Sequence, residues 1–305
     1  MKPRSSFLSV ALLAALASPP ALFAAVQDPP PAPEEPAPAE KPEIRRLEAW
    51  PALDGKTRDT VRVDIERLRK ARTDEMADQA RDALVQAGSA IVPELLPVVG
   101  KEKDPQALQR VLGVLETVTG AEHTRLLAAE FEDRSLPVRT WAMRRCGQFP
   151  DEGVRKAAEE ALGRARKGGD KADREELYAA ALCTTAAGSR EGLDVIADWA
   201  VDGWGKRGVE MRTALEAVRG PEAAAEAAKL LLQGDRKKTV AGLNLLAGCG
   251  DPGAIQRVKP YLDNTDNSIR VAAINAMRGI VDGDPPIANL AVFEAIELAK
   301  KWKAR

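Results

Sequence analysis

The 305-residue chain carries 45 basic and 46 acidic side chains, a formal net charge of −1, with the two signs interspersed. No long-range field therefore selects nucleic acid or an anionic membrane, because a nucleic-acid binder draws affinity from a basic surplus that displaces counterions. Apolar residues make up 45% of the chain but aromatics only 4%, and Ala, Leu and Val dominate, which favours closely packed helices and predicts an all-α protein.

Lys2 and Arg4 give a positive start. An apolar stretch from Phe7 to Ala17 comes next, then Ser18-Pro19-Pro20 and the small-residue segment Ala21 to Val26. That order is the grammar of a secretory signal over residues 1–26. Cleavage after Ala17 satisfies the small-x-small rule, whereas cleavage after Ala24 or Ala25 puts Leu22 or Phe23 three places before the cut. The alternative is an uncleaved membrane anchor, since the 20 residues 7–26 nominally span a bilayer. Pro19-Pro20 interrupts such a helix. Residues 27–45, centred on DPPPAPEEPAPAEKPE, read as an extended Pro-rich tether that cannot pack.

Residues 46–73 are expected to form an N-terminal capping helix, with Val61, Ile65 and Leu68 on one face. From residue 74 to the end the chain repeats itself. Helix starts are read at Asp74, Asp104, Ser135, Asp170, Gly205, Asp235 and Asp266, spaced by 30, 31, 35, 35, 30 and 31 residues. Asp and Ser side chains accept the unpaired N–H groups of a first turn, and Pro105 sits where proline is best tolerated. Leu108, Val111, Leu112, Leu115 and Val118 mark a helical apolar face, as do Ile269, Ala272, Ala273, Ala276, Met277 and Ile280. Second helices carry Val154, Ala157, Ala158, Ala161 and Leu162, or Leu193, Ile196, Ala197 and Ala200. Nothing alternates with period two. One such pair cannot bury its apolar face alone, so seven pairs are expected to stack as an α-solenoid with a continuous core.

The stretch DNSIRVAAINAM (Asp266–Met277) resembles the HEAT-repeat pattern, SLPVRTWAMRRC (Ser135–Cys146) repeats it, and ARDALVQAGSAIVPELLPVV is similar to the family's join between helices. The resemblance covers about residues 74–283 and is shared with the shorter repeats of phycobilisome-lyase-type proteins. It implies a right-handed superhelix whose second helices line the concave face. It also implies a ladder of arginines four places after each cap, held here by Arg139, Arg174 and Arg270 and interrupted by Asp78, Leu108, Val209 and Thr239. The tetratricopeptide and ankyrin signatures are absent.

Residues that could carry chemistry are few. GCGDPG (Gly248–Gly253) has dinucleotide-binding spacing, but it comes after a helix instead of a strand and reads as a loop. His123 is the only histidine, too little for a zinc site or a nucleophile–base pair, and reads as a solvated surface residue. Cys146, Cys183 and Cys249 recur at one level of the first helices and read as buried thiols, with a Cys146–Cys183 bridge as the alternative. The Glu159–Glu160 and Glu175–Glu176 pairs are adjacent on helices and do not face each other. No cofactor or metal is implied. The binding candidates are Trp199, on a second helix, and Trp204, in what reads as the loop after it; together they could form an aromatic anchor on the concave face. For Trp199, filling the seam between two repeats is the competing reading.

The expectation is an exported module that binds another protein and acts as a scaffold in the periplasm or outside the cell, without catalysis, nucleic acid or, once the signal is cut, an integral membrane span. Two alternatives stay open: an enzyme with a pocket on the concave face, as in lyase-like relatives, and a membrane-tethered envelope component.

Overall fold

In a computed structural model the described residues are 44–305. The signal-like start and the Pro-rich stretch up to Glu43 lie outside them. Among the described residues there are helices and no strand. In chain order the α-helices are α1 (Gly55–Arg69), α2 (Asp74–Gln86), α3 (Val92–Val99), α4 (Pro105–Val118), α5 (Thr124–Leu127), α6 (Leu136–Gln148), α7 (Arg155–Lys167) and α8 (Arg174–Ala186). Then come α9 (Leu193–Asp202), α10 (Trp204–Glu216), α11 (Pro221–Leu231), α12 (Arg236–Cys249), α13 (Ile255–Val258), α14 (Asn267–Val281) and α15 (Val292–Ala304). Short 3₁₀ turns introduce or extend several second helices, including those around α5 and α13.

The units succeed one another as helix–turn–helix pairs. Each second helix packs on the first helix of the next pair: α3 on α4, α5 on α6, α7 on α8, α9 on α10, α11 on α12 and α13 on α14. First helices also stack, as α6 on α8 and α12 on α14. The fold is all-α and solenoid-like, with one apolar core running through the described chain.

Asp104, Asp235 and Asp266 cap α4, α12 and α14 through side-chain oxygens that accept backbone N–H groups. Three other caps lie elsewhere than the spacing suggests, although α2 does begin at Asp74. Thr73, not Asp74, caps α2; Asp173, not Asp170, caps α8; and α10 begins at Trp204 behind Gly203. Asp170 falls in a single 3₁₀ turn entered through Gly169, whose φ of 52° lies in the left-handed region. Ser135 flanks α6 without a side-chain cap; instead its own N–H donates to Asp133 Oδ1 at 2.6 Å. The same bracing recurs two residues before the cap in other units, where Glu102 receives the Asp104 N–H and Asn264 the Asp266 N–H.

Close helix approach rests on small residues. Every residue of α12 from Thr239 to Cys249 is buried, as expected of a helix covered on all sides. At Gly248 a Cβ would meet Leu215 Cβ at 2.6 Å, and at Gly279 one would fall on the Ala247 carbonyl, 2.8 Å from its carbon. Between α14 and α15 the chain forms an extended strap whose Gly283 and Pro285 carbonyls accept from Arg212 and Arg278.

Candidate functional site

The sequence of α9, LDVIADWAVD, has two distinct sides. Ala197 and Val201 point into a groove together with Leu230 of α11 and Ala241 and Leu245 of α12. The groove has a volume of about 690 Å³. Its floor is apolar because α9 packs directly on α12, and small residues (Ala197, Ala227, Ala241) leave room between α9 and α11. Asp194, Asp198 and Asp202, spaced four apart, make an acidic rail along the α9 edge. Lys229, Lys237 and Lys238, together with Glu226 and Asp235, line the same groove from α11, α12 and the turn between them. Asp194 is paired with Arg166 at 2.6 Å, but among the described residues Asp198, Asp202, Lys229 and Lys237 form no ion pair. A groove with an apolar floor and unpaired charges of both signs around it can hold an amphipathic segment.

The other side of α9 carries Trp199, half-buried. It stacks on Tyr178 of α8 with ring centroids 4.7 Å apart. Arg207 of α10 lies 4.4 Å from the Trp199 centroid and 5.0 Å from that of Tyr178. Arg207 also makes a bidentate pair with Glu175, at 3.0 and 2.9 Å. Tyr178 is fully buried and donates its hydroxyl to Glu210 at 2.8 Å, and Glu210 in turn receives a bidentate Arg144. Burial pushes the Tyr178 phenol far above its ordinary value, so it stays a donor. The cluster ties α6, α8, α9 and α10 together, with Trp199 as its outermost plate.

Trp204 does not lie in a loop. It is the first residue of α10, 6% exposed, and packs beside Gly208. The flanking Gly203 and Gly205 mimic a loop in sequence, but Gly203 is itself the junction and the helix runs on through Gly205. Trp199 and Trp204 thus belong to different surroundings.

Of the three ladder arginines, two occupy equivalent places. Arg139 donates to the Asp133 carbonyl at 2.8 Å and Arg270 to the Asn264 carbonyl at 2.7 Å, each two residues before its cap. Each pins its own turn; Arg139 alone also reaches the next unit, at Glu176, 2.7 Å. Arg174 is not their counterpart. With Asp173 as cap it becomes the first residue of α8, and its guanidinium lies 5.2 Å from the Trp199 centroid.

His123 is buried, contrary to the surface reading. Trp50 stacks on it at 5.3 Å and 13°, and the Gly120 N–H donates to its Nδ1 at 2.9 Å. Desolvation holds its pKa below the ordinary value. Around it Arg46 reaches Asp151 at 2.9 Å and the Leu47 N–H donates to the Glu122 carbonyl, so His123 anchors the segment before α1. No sequence signal near His123 announces this, because its cover, Trp50, comes from a distant part of the chain. All three cysteines are buried free thiols. In GCGDPG, Gly248 packs against Leu215 in the last turn of α12, which ends at Cys249, and the chain then enters a 3₁₀ turn, with no strand before it. Among the described residues no group of His, Cys, Asp or Glu could hold a metal ion, and no single helix is long and apolar enough to cross a membrane. Comparisons of the chain with protein-family models, with curated proteins and with solved structures find no match.

Proposed function

We propose that this chain is an exported, HEAT-like scaffold that binds a partner protein through the groove between α9 and α11. The observation that carries the reading is a groove of about 690 Å³ lined by α9, α11 and α12, with an apolar floor and the unpaired charges of Asp198, Asp202, Lys229 and Lys237 around it. The occupant is an amphipathic segment with its apolar side on Ala197, Val201 and Leu230. Its basic residues face Asp198 and Asp202, and its acidic residues face Lys229 and Lys237. Such complementarity fixes orientation and speeds association more than it adds affinity. The charged start and short apolar core support export, and the Pro-rich stretch supports a tether that holds the folded part away from the export site.

The test is affinity capture from the cell envelope and medium with the wild-type chain and with Asp198→Lys/Asp202→Lys, then mass spectrometry and binding measurements on each purified candidate. A partner should be retained by the wild type, lost from the double variant at unchanged melting temperature, and released by salt. Identical capture profiles for the two chains would remove the groove from consideration. N-terminal sequencing of the native protein tests export separately, and an intact Met1 would rule out cleavage.

A further inference from the structure

Cys146 of α6 and Cys183 of α8 lie on successive first helices that stack directly on each other. Their backbones approach closely at the residue after Cys146. A Cβ at Gly147 would stand 3.1 Å from Leu182 Cβ and 3.4 Å from both the Leu182 carbonyl carbon and the Cys183 nitrogen. A Cβ lies one covalent bond, about 1.5 Å, from its Cα, so the two chains nearly touch there. Both cysteines are sealed in this seam, at 2% and 1% exposure. Cys146 Sγ makes one weak hydrogen bond, to the Thr124 carbonyl at 3.5 Å. Burial, and the Cys183 thiol beside it, hold the Cys146 thiol well above its ordinary value. Cys249 is placed differently. It ends α12, and the helices on which α12 packs most, α9, α10, α11 and α14, contain no cysteine.

We infer that Cys146 and Cys183 are the two halves of a disulfide that staples α6 to α8 when the chain folds in the presence of external disulfides, while Cys249 stays a thiol. In the unfolded chain one of the two cysteines loses its proton, and the thiolate attacks a sulfur of an external disulfide, RS–SR. An S–S bond forms to the protein and RS⁻ leaves. Closure of the seam then brings the second cysteine to this mixed disulfide. Its thiolate attacks the protein sulfur, and the second RS⁻ leaves. Two protein thiols are thereby oxidised to one disulfide, and RS–SR is reduced to two RSH that carry the two protons. The order matters, because packing shuts both sulfurs away from solvent and suppresses the Cys146 thiolate. The staple is therefore set during folding, and the same burial afterwards shields it from reductants.

The bond closes a loop that contains α7, and such a cross-link stabilises chiefly by restricting the unfolded chain. It joins the same two helices that Arg144 and Tyr178 link through Glu210. That polar link weakens as ions screen it, whereas a covalent one does not. The inference stands apart from the groove between α9 and α11. Export, as proposed above, would bring the folding chain to a compartment where disulfides form and persist. The test below does not require it.

The experiment takes the full chain, unfolded and reduced in denaturant, and dilutes it into a mixture of oxidised and reduced glutathione. Far-UV circular dichroism checks the return to a helical fold. Free thiols are then alkylated under denaturing conditions and located by mass spectrometry of proteolytic peptides. Alkylation is expected at Cys249 alone, with the Cys146 and Cys183 peptides joined by a link that reduction removes. The linked chain should melt about 5–15 °C above the same chain refolded in reductant. Cys183→Ala should alkylate at Cys146 and lose that difference. Wild-type chain folded in reductant and then moved to the glutathione mixture should keep all three thiols; rapid linkage there would overturn the proposed order of events. The inference is overturned by three free thiols after refolding in glutathione, or by glutathione left on Cys146 or Cys183 without a link between them. A link to Cys249 overturns it too, as does a linked chain that melts no higher than the reduced one. Should the diluted chain aggregate, cell-free translation in the same glutathione mixture supplies folded protein, and the same thiol count decides.

Discussion

Replacing Gly279 by Ala tests the closest helix–helix approach in the array. A Cβ at that position falls on the Ala247 carbonyl, 2.8 Å from its carbon and 3.0 Å from its Cα, distances that force α12 and α14 apart. Alanine in place of glycine favours the helix by about 1 kcal/mol, while overpacking a tight core costs typically about 1–3 kcal/mol and sometimes more. Backbone atoms cannot yield as a flexible side chain can, and α12 is covered on every side, so the upper part of that range applies. The net expectation is a loss of about 2 kcal/mol, or roughly 4–8 °C in Tm for a domain of this size. Gly163 of α7 provides the control, because a Cβ there meets nothing within 4 Å. Gly163→Ala should stabilise by about 0.5–1 kcal/mol. Both are read by far-UV circular dichroism in thermal and urea melts. A Gly279→Ala variant that melts at or above the wild type refutes the tight approach, as does a shift of Tm in the same direction for both substitutions.

The other predictions concern burial and protonation. His123 has a folded-state pKa below the ordinary histidine value of 6.5, so the unfolded chain binds the proton first. Stability is therefore complete above about pH 6.5 and falls as pH drops from there through the folded value; urea midpoints should show this slope and His123→Asn should abolish it. Trp204→Ala should cost about 3–5 kcal/mol of folding stability, as for a buried ring, with Trp199→Ala costing less; equal melting temperatures for the two would contradict their different burial. Ile269→Asp places an unpaired charge in a packed seam and should destabilise by about 3–5 kcal/mol, while exposed Lys301→Asp stays within about 0.5 kcal/mol of wild type. Indistinguishable melts for that pair would place Ile269 outside the core.

The helical architecture was readable because it rests on local chemistry. Asp104, Asp235 and Asp266 announce their helices through a side-chain oxygen within reach of the first turn, and that interaction needs no distant partner. Where two such residues lie three apart, as Asp170 and Asp173 do, the pattern alone does not choose between them. The cap is the one at the head of an unbroken helix, and the choice decides whether Arg174 stands four places into α8 or at its beginning. The glycines flanking Trp204 imitated a loop, but Gly205 lies within α10 with nothing within 4 Å of where its Cβ would stand. The groove between α9 and α11 was not readable at all. It depends on α9 passing α10 to reach α12, a consequence of helix crossing that no window of the sequence contains. The alanines of its floor are indistinguishable, in sequence, from those that pack the seams. Nor does any pattern near Asn275 tell that its amide holds a backbone twelve residues later.

A single residue, Gly203, both ends α9 and begins α10, without a side chain to cap either helix. Torsion there is opposed by backbone hydrogen bonds to Trp199 and Arg207 but by no side-chain cap and no arginine pin of the kind that Arg139 and Arg270 provide. Further stiffness comes from outside the backbone, through the Arg207–Glu175 and Arg144–Glu210 pairs that fasten α10 to α8 and α6. Those four side chains are partly open to solvent, so dissolved ions weaken both pairs. Ionic strength thereby acts on elasticity: as the pairs loosen, α10 and everything after it gain freedom to pivot at Gly203, and the span between α9 and α11 is the gauge on which that pivot registers.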